Sequence, residues 1–174
     1  MKKINLKVAD ITKEKVCAIV NAANSSLMGG GGVDGAIHNA GGSTIAKECR
    51  QIRQSLYPDG LPTGQAVHTT AGNLPCTYII HTVGPVYKSS TDESEQLLAN
   101  CYTNSLELAY DLGCNSIAFP AISTGIFGYP KEKASKIAYE SVIKFLNENH
   151  NMEVNFIFST RQNKKIFEQT IKDL

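Results

Sequence analysis

The chain has 174 residues, 42% of them apolar, enough for one globular domain with a sizeable core. Its formal net charge of +1 excludes the basic footprint by which proteins neutralise a nucleic-acid backbone. No apolar run is long enough to cross a bilayer, and Met1-Lys2-Lys3-Ile4-Asn5-Leu6-Lys7-Val8 alternates like a strand and lacks the apolar centre of a signal peptide. The five cysteines, Cys17, Cys49, Cys76, Cys101 and Cys114, are odd in number and without paired spacing. That pattern predicts free thiols in a reducing, cytoplasmic compartment, and no Cys/His group has zinc-ligand spacing.

In chain order, Ile4, Leu6 and Val8 form a first strand ending at Ala9-Asp10-Ile11-Thr12. Asp10 there can cap a turn or accept a hydrogen bond from a ligand amino group. Val16 to Val20 reads as a buried strand, followed by Asn21-Ala22-Ala23-Asn24-Ser25-Ser26-Leu27-Met28 and then Gly29-Gly30-Gly31-Gly32-Val33-Asp34-Gly35. Ala36 to Ala40 makes a short helix broken by Gly41-Gly42, and a second begins near Ser43 with Ile45, Ala46, Cys49 and Ile52. Turns at Tyr57-Pro58-Asp59-Gly60 and Leu61-Pro62-Thr63-Gly64 precede strands at Gln65 to Thr70 and Thr77 to Val83, the latter stopped by Gly84-Pro85. Asp92 and Glu95 have capping-box spacing for a helix carrying Leu98, Cys101, Tyr102, Ser105, Leu108, Ala109 and Leu112 inward and ending at Gly113. A strand over Ser116 to Ala121 leads into a second glycine-punctuated loop, Ser123-Thr124-Gly125-Ile126-Phe127-Gly128-Tyr129-Pro130. A helix from Lys131 to Asn149, a strand at Val154 to Phe158 and a helix from Gln162 to Lys172 complete the chain. Strands alternating with helices predict an α/β layered domain spanning 1–174, with a largely parallel or mixed sheet. Both glycine loops leave carboxyl ends of strands, so both can face one crevice.

Four consecutive glycines are costly in backbone entropy, which a close approach to a ligand would justify; the plainer reading is a flexible surface loop. With so little net charge, phosphates would be held by backbone amides at a helix N-terminus. Gly30-X-Gly32-X-X-Gly35 matches the dinucleotide fingerprint literally, but the strand ends about ten residues too early and Gln51 to Leu56 holds no acid for a ribose. No Gly-Lys-Ser/Thr follows as in nucleotide hydrolases, and Ser123 and the cysteines have no evident base. His38 can pair with Asp34 or simply pack, and His81 reads as a satisfied core histidine. Asp34 is either a turn residue or a carboxylate facing a neutral sugar or a water beside the phosphates, where it can take a proton. Asn24 offers a donor and an acceptor suited to vicinal hydroxyls.

The set Asp10-Ile11-Thr12, Asn21-Ala22-Ala23-Asn24, Gly29 through His38, His81-Thr82-Val83-Gly84-Pro85 and Pro120 through Pro130 resembles the macrodomain family, and more closely its MacroD-type branch with the bacterial O-acetyl-ADP-ribose deacetylases. The resemblance spans almost the whole chain in matching order. It implies a three-layer α/β/α sandwich with a mixed, largely parallel central sheet and a cleft for ADP-ribose. Asp10 would bond the adenine amino group with the Ile11 backbone nearby. Gly32 and Val33, with Ser123, Thr124, Gly125, Ile126 and Phe127, would cradle the diphosphate, and Phe127 would pack on the distal ribose. Asn24 would hold that ribose, and Asp34 would position or deprotonate the attacking water, with a substrate phosphate able to assist. The implied activity is a metal- and cofactor-independent hydrolase that removes mono-ADP-ribose from acidic protein side chains and deacetylates O-acetyl-ADP-ribose. The alternative is a non-catalytic ADP-ribose reader. Implied partners are ADP-ribose, ADP-ribosylated proteins and O-acetyl-ADP-ribose, with no membrane or nucleic acid; the expected state is a monomer. Two departures stand out. Ala9 replaces the usual glycine before Asp10. The position where many relatives stack an aromatic on adenine holds Ser159, with Phe158 beside it on the opposite face by strand alternation.

Overall fold

The computed structural model describes residues 3–89, 91–148 and 150–174. Met1 and Lys2 of the alternating N-terminal segment, and Asn149, the expected end of the helix begun at Lys131, lie outside the described residues. Among the described residues six strands form one sheet: β1 (Lys3–Val8), β2 (Ala18–Ala23), β3 (Ala66–Thr70), β4 (Tyr78–Val83), β5 (Ser116–Phe119) and β6 (Glu153–Phe158). Their order is β1-β6-β5-β2-β4-β3, parallel throughout except for β3 against β4. The helices are α1 (Gly32–Gly41), α2 (Ser43–Ser55), α3 (Asp92–Asp111), α4 (Lys131–Asn147) and α5 (Arg161–Lys172).

Strand alternation sorts the core into two layers. Ala18, Val20, Ile80, Ile117, Phe119, Val154 and Phe156 point towards α3, α4 and α5. Ile19, Ala23, Ile79, Val83, Ala118 and Ile157 point the other way, onto Ile37 of α1 and Ile45 and Cys49 of α2. Apolar residues on both faces explain why the central strands read as continuous apolar runs. The result is the expected α/β/α sandwich with a mixed, largely parallel sheet.

The crevice arises where the strand order turns. From β2 the chain crosses by way of α1 and α2 to β3 and β4 on one side, while β5 and β6 lie on the other. β2 and β5 pair only at Ala18↔Ile117 and Ile19↔Ala118, whereas β2 continues beside β4 to Ala23. Pro120, which has no N–H to give a ladder, follows the end of β5. The carboxyl ends of β2 and β5 therefore part, as at the ligand crevice of open α/β sheets.

Several boundaries differ from expectation. β2 runs to Ala23, so Asn21 is a sheet residue; α1 starts at Gly32, so Val33 and Asp34 lie in its first turn. The capping box of α3 is Thr91 with Ser94, one residue before the expected Asp92–Glu95 pair, and Leu106 is sealed in the core where Leu108 is only partly buried. β5 stops at Phe119, before Pro120, two residues short of the Ala121 that the sequence pattern predicts. The thiols need the largest correction: Cys17 and Cys114 form a disulfide, with Cα atoms 5.5 Å apart, leaving Cys49, Cys76 and Cys101 free. These two cysteines precede neighbouring parallel strands, β2 and β5, at their amino ends. A separation of 97 residues hides that proximity in the sequence.

Candidate functional site

A cavity of about 470 Å³ opens at the carboxyl ends of β2 and β5. Asn24, Gly32, Val33 and Asp34 line it from one side and Ser123, Thr124, Gly125, Ile126 and Phe127 from the other. Asp34 is its only lining carboxylate and Lys131 its only lining cation among the described residues. Of the sequence-predicted site residues, Asp10 and Ile11 do not line it. Ile11 is buried, and Asp10 caps the short 3-10 turn Ile11–Lys13. Asp10 Oδ1 accepts from the Thr12 N–H (3.0 Å) and the Thr12 hydroxyl (2.7 Å). Those bonds, chiefly the side-chain one, hold its carboxyl below the usual carboxylate range. The turn nevertheless starts beside the cavity, because the Ala9 N–H bonds the carbonyl of Phe158, a lining residue.

The first loop is shaped by its own side chains. Asn24 Oδ1 accepts from the Ser26 N–H and hydroxyl, and Asn24 Nδ2 donates to the Gly29 carbonyl (3.0 Å). The acceptor of Asn24 is thus spent within the loop, and one amide hydrogen is left for a ligand. Leu27 is 1% exposed and anchors the loop in the core despite a φ of 60°. Gly35 cannot be larger, since a Cβ there would run into the Gly30 carbonyl. That close approach folds the glycine run back onto α1. Gly31 offers no side-chain cap, so the first amides of α1 have no acceptor within the helix and sit at the cavity wall.

The second loop mirrors it. The Gly125, Ile126 and Phe127 N–H groups make no hydrogen bond among the described residues. The loop is tied down by Tyr129 N–H to Ser123 O (2.8 Å) and by Ile122 N–H to the Tyr102 hydroxyl (3.2 Å). Ser123 has φ 66° and a buried hydroxyl without a partner, so among the described residues both non-glycine positions of positive φ, Leu27 and Ser123, lie in the two cavity loops. Gly84, at the end of β4, is required here because any Cβ would overlap Ser123 Oγ. Ile126 is fully exposed at the rim and Phe127 partly buried. Phe158 is buried with its ring 5.3 Å from that of Phe167, while Ser159 is exposed; both line the cavity.

Asp34 and Asn24 converge on Gly30. A Cβ added there would lie 3.3 Å from Asp34 Oδ2 and 3.4 Å from Asn24 Nδ2. Asp34 is 4% exposed. Its Oδ1 accepts from Asn21 Nδ2 at 2.8 Å, and Oδ2 has no partner among the described residues. His38 Nε2 stands 3.4 Å from Oδ1, an ion-pair distance without hydrogen-bond alignment, and has no other partner. His81 is fully buried with partners at both nitrogens, Asn21 at Nδ1 and, at Nε2, Thr69 Oγ1 with the more distant Cys49 Sγ at 3.8 Å. Sequence reasoning gave Asn21 no role of its own, because within an apolar strand nothing marks an amide as supporting a carboxylate thirteen positions on. The free thiols are poor nucleophiles: burial pushes Cys49 up to about 12 and Cys76 and Cys101 up to about 11.

Chemically, the cavity combines two loops of unbonded amides, fit for a dianion, with one lining carboxylate whose Oδ2 is unbonded beside Gly30. The chain is 47% identical over 170 residues to the O-acetyl-ADP-ribose deacetylase of Cronobacter sakazakii, covering 97% of this chain and 93% of that one. It superposes with TM-score 0.93 at 46% identity on a mutant Oceanobacillus iheyensis macrodomain solved with ADPR, covering 97% of this chain and 91% of that one. A Trypanosoma brucei macrodomain in complex with ADP-ribose gives TM-score 0.85 at 37% identity, covering 97% and 68%. The family model described as Macro domain matches residues 20–138, from β2 through the first part of α4, so the chain belongs to the Macro domain family.

Proposed function

We propose that this protein binds ADP-ribose and hydrolyses bonds at its distal ribose, releasing mono-ADP-ribose from acidic protein side chains and acetate from O-acetyl-ADP-ribose. The observation that carries the reading is the convergence of a buried carboxylate and a carboxamide on one point beside Gly30, in a cavity also lined by two loops with unbonded amides. The amides of Val33 and its neighbours and those of Gly125 to Phe127 hold the diphosphate. Asn24 gives its remaining amide hydrogen to the distal ribose, and Phe127 packs on that sugar. Asp34 Oδ2 takes the proton of a water as its oxygen attacks near the anomeric carbon, and the carboxylate of the modified side chain leaves. Asp10, with its second oxygen outside the turn, and the Ile11 backbone serve the adenine. Similarity to a protein named O-acetyl-ADP-ribose deacetylase supports the ester chemistry.

The test pairs wild type with Asp34→Ala on a mono-ADP-ribosylated protein and on O-acetyl-ADP-ribose, with ADP-ribose affinity measured by calorimetry. Loss of a general base should lower kcat by about 100-fold or more while leaving binding nearly unchanged. Equal turnover by the two proteins removes Asp34 from its role. Binding without turnover by wild type assigns a reader.

A further inference from the structure

A line of buried side chains runs away from the cavity behind Asp34. Asn21 Nδ2 donates to Asp34 Oδ1 at 2.8 Å and lies 3.1 Å from His81 Nδ1. His81 Nε2 lies 3.0 Å from Thr69 Oγ1, and that hydroxyl donates to the Thr70 carbonyl at 2.9 Å. Asn21 and His81 are neighbours across β2 and β4, on the α1 side of the sheet. Neither lines the cavity. Asn21, His81, Thr69 and Asp34 are at most 4% exposed, so no solvent can exchange for these bonds.

We propose that His81 is a positioning residue: its Nε2–H tautomer fixes the amide of Asn21, and Asn21 in turn fixes the carboxylate of Asp34 with Oδ2 towards the cavity. This rests on Asp34 being the group that handles water. Cys49 Sγ also lies 3.8 Å from His81 Nε2 as a neutral, weakly bonding thiol, so the closer Thr69 hydroxyl and the Asp34 carboxylate set the arrangement. The Thr69 hydroxyl hydrogen is spent on Thr70, so its oxygen accepts, and His81 Nε2 carries the ring hydrogen towards it. His81 Nδ1 is then a bare acceptor for one amide hydrogen of Asn21, and the other goes to Asp34. Asn21 Oδ1 is buried with no partner, so nothing on the oxygen side holds the amide. Its orientation comes from the two acceptors that share its nitrogen. Reversing the amide would set an oxygen against the Asp34 carboxylate. A ring protonated at Nδ1 would set hydrogen against hydrogen at Asn21. Burial of the ring, with the neighbouring His38 and His68, lowers its pKa to about 3 and so supports the neutral form.

Two readouts test the assignment. Nitrogen NMR of the wild-type protein should show an unprotonated Nδ1 and a protonated Nε2 on His81, with no titration between about pH 5 and 8, where an ordinary histidine changes charge. His81→Leu should lower kcat by about 100-fold, the cost of misplacing a reacting group, with KM and ADP-ribose affinity nearly unchanged. His81→Gln keeps an acceptor and a donor and should recover most of that loss. An Nδ1–H tautomer, a charged ring, or His81→Leu with wild-type kcat would overturn the proposal, as would a glutamine variant no better than leucine. The NMR result needs no turnover, so it decides the assignment even if the leucine variant does not fold. If wild type shows the expected tautomer but no hydrolysis, the hydrolase reading and this role in it both fail, while the hydrogen-bond assignment stands.

Discussion

Ser123 has a strained backbone and a hydroxyl with no partner, both at the cavity wall. Ser123→Gly relieves a left-handed conformation worth roughly 1–2 kcal/mol, offset by roughly 0.5–1 kcal/mol of unfolded-chain entropy. It also removes a buried unpaired group. Denaturant unfolding should show a gain of about 1 kcal/mol. Gly84→Ala acts in the opposite sense, because its methyl must push Ser123 and Ile122 aside. Overpacking of this kind costs roughly 1–3 kcal/mol. Since the displaced loop carries the Gly125 to Phe127 amides, ADP-ribose affinity measured by calorimetry should fall with stability. Unchanged affinity would remove the second loop from ligand binding.

At the scale of elements, α5 is capped by Thr160, whose side chain accepts from the Asn163 N–H. Thr160→Ala should cost about 1 kcal/mol in unfolding experiments. The Cys17–Cys114 bond ties the amino ends of β2 and β5, whereas the cavity opens at their carboxyl ends. Replacing both cysteines by serine should therefore cost about 2–4 kcal/mol of stability and leave turnover unchanged. The element pattern was largely legible in the sequence because apolar period and turn residues are local signals, and the errors fall where non-local contacts decide. Asn21 belongs to a strand because β4 pairs with it through Ala23, and Gly32 to Asp34 join a helix because the Gly30 carbonyl packs on Gly35. The cysteine pair escaped notice because spacing along the chain says nothing about two strands that become neighbours by crossover. The cavity loops, by contrast, were visible as glycine clusters following apolar runs. That Asn24 spends its acceptor within its own loop was not visible.

For the molecule as a whole, burial of His81 couples stability to pH. An ordinary histidine takes up its proton near 6.5, whereas the folded state holds His81 at about 3. Between these values the unfolded chain binds more protons, so stability present above pH 6.5 is lost as pH falls towards 3. His81→Gln should flatten the stability profile between about pH 6.5 and 5, where carboxylates remain ionised. An unchanged slope there would contradict the buried, neutral ring. Ligand linkage is also a whole-molecule property: at about 100 times its dissociation constant, ADP-ribose should add about 2.7 kcal/mol to unfolding. The central claim is one of direction, with the diphosphate between two amide rows and the distal ribose turned to Asn24 and Asp34. A crystal structure of the protein with ADP-ribose tests it most directly. The account predicts phosphate oxygens on the amides of Val33 and Ile126, and the distal ribose within hydrogen-bond reach of Asn24 Nδ2 and Asp34 Oδ2. A ligand lying the other way round, with its adenine against Asp34, would contradict it.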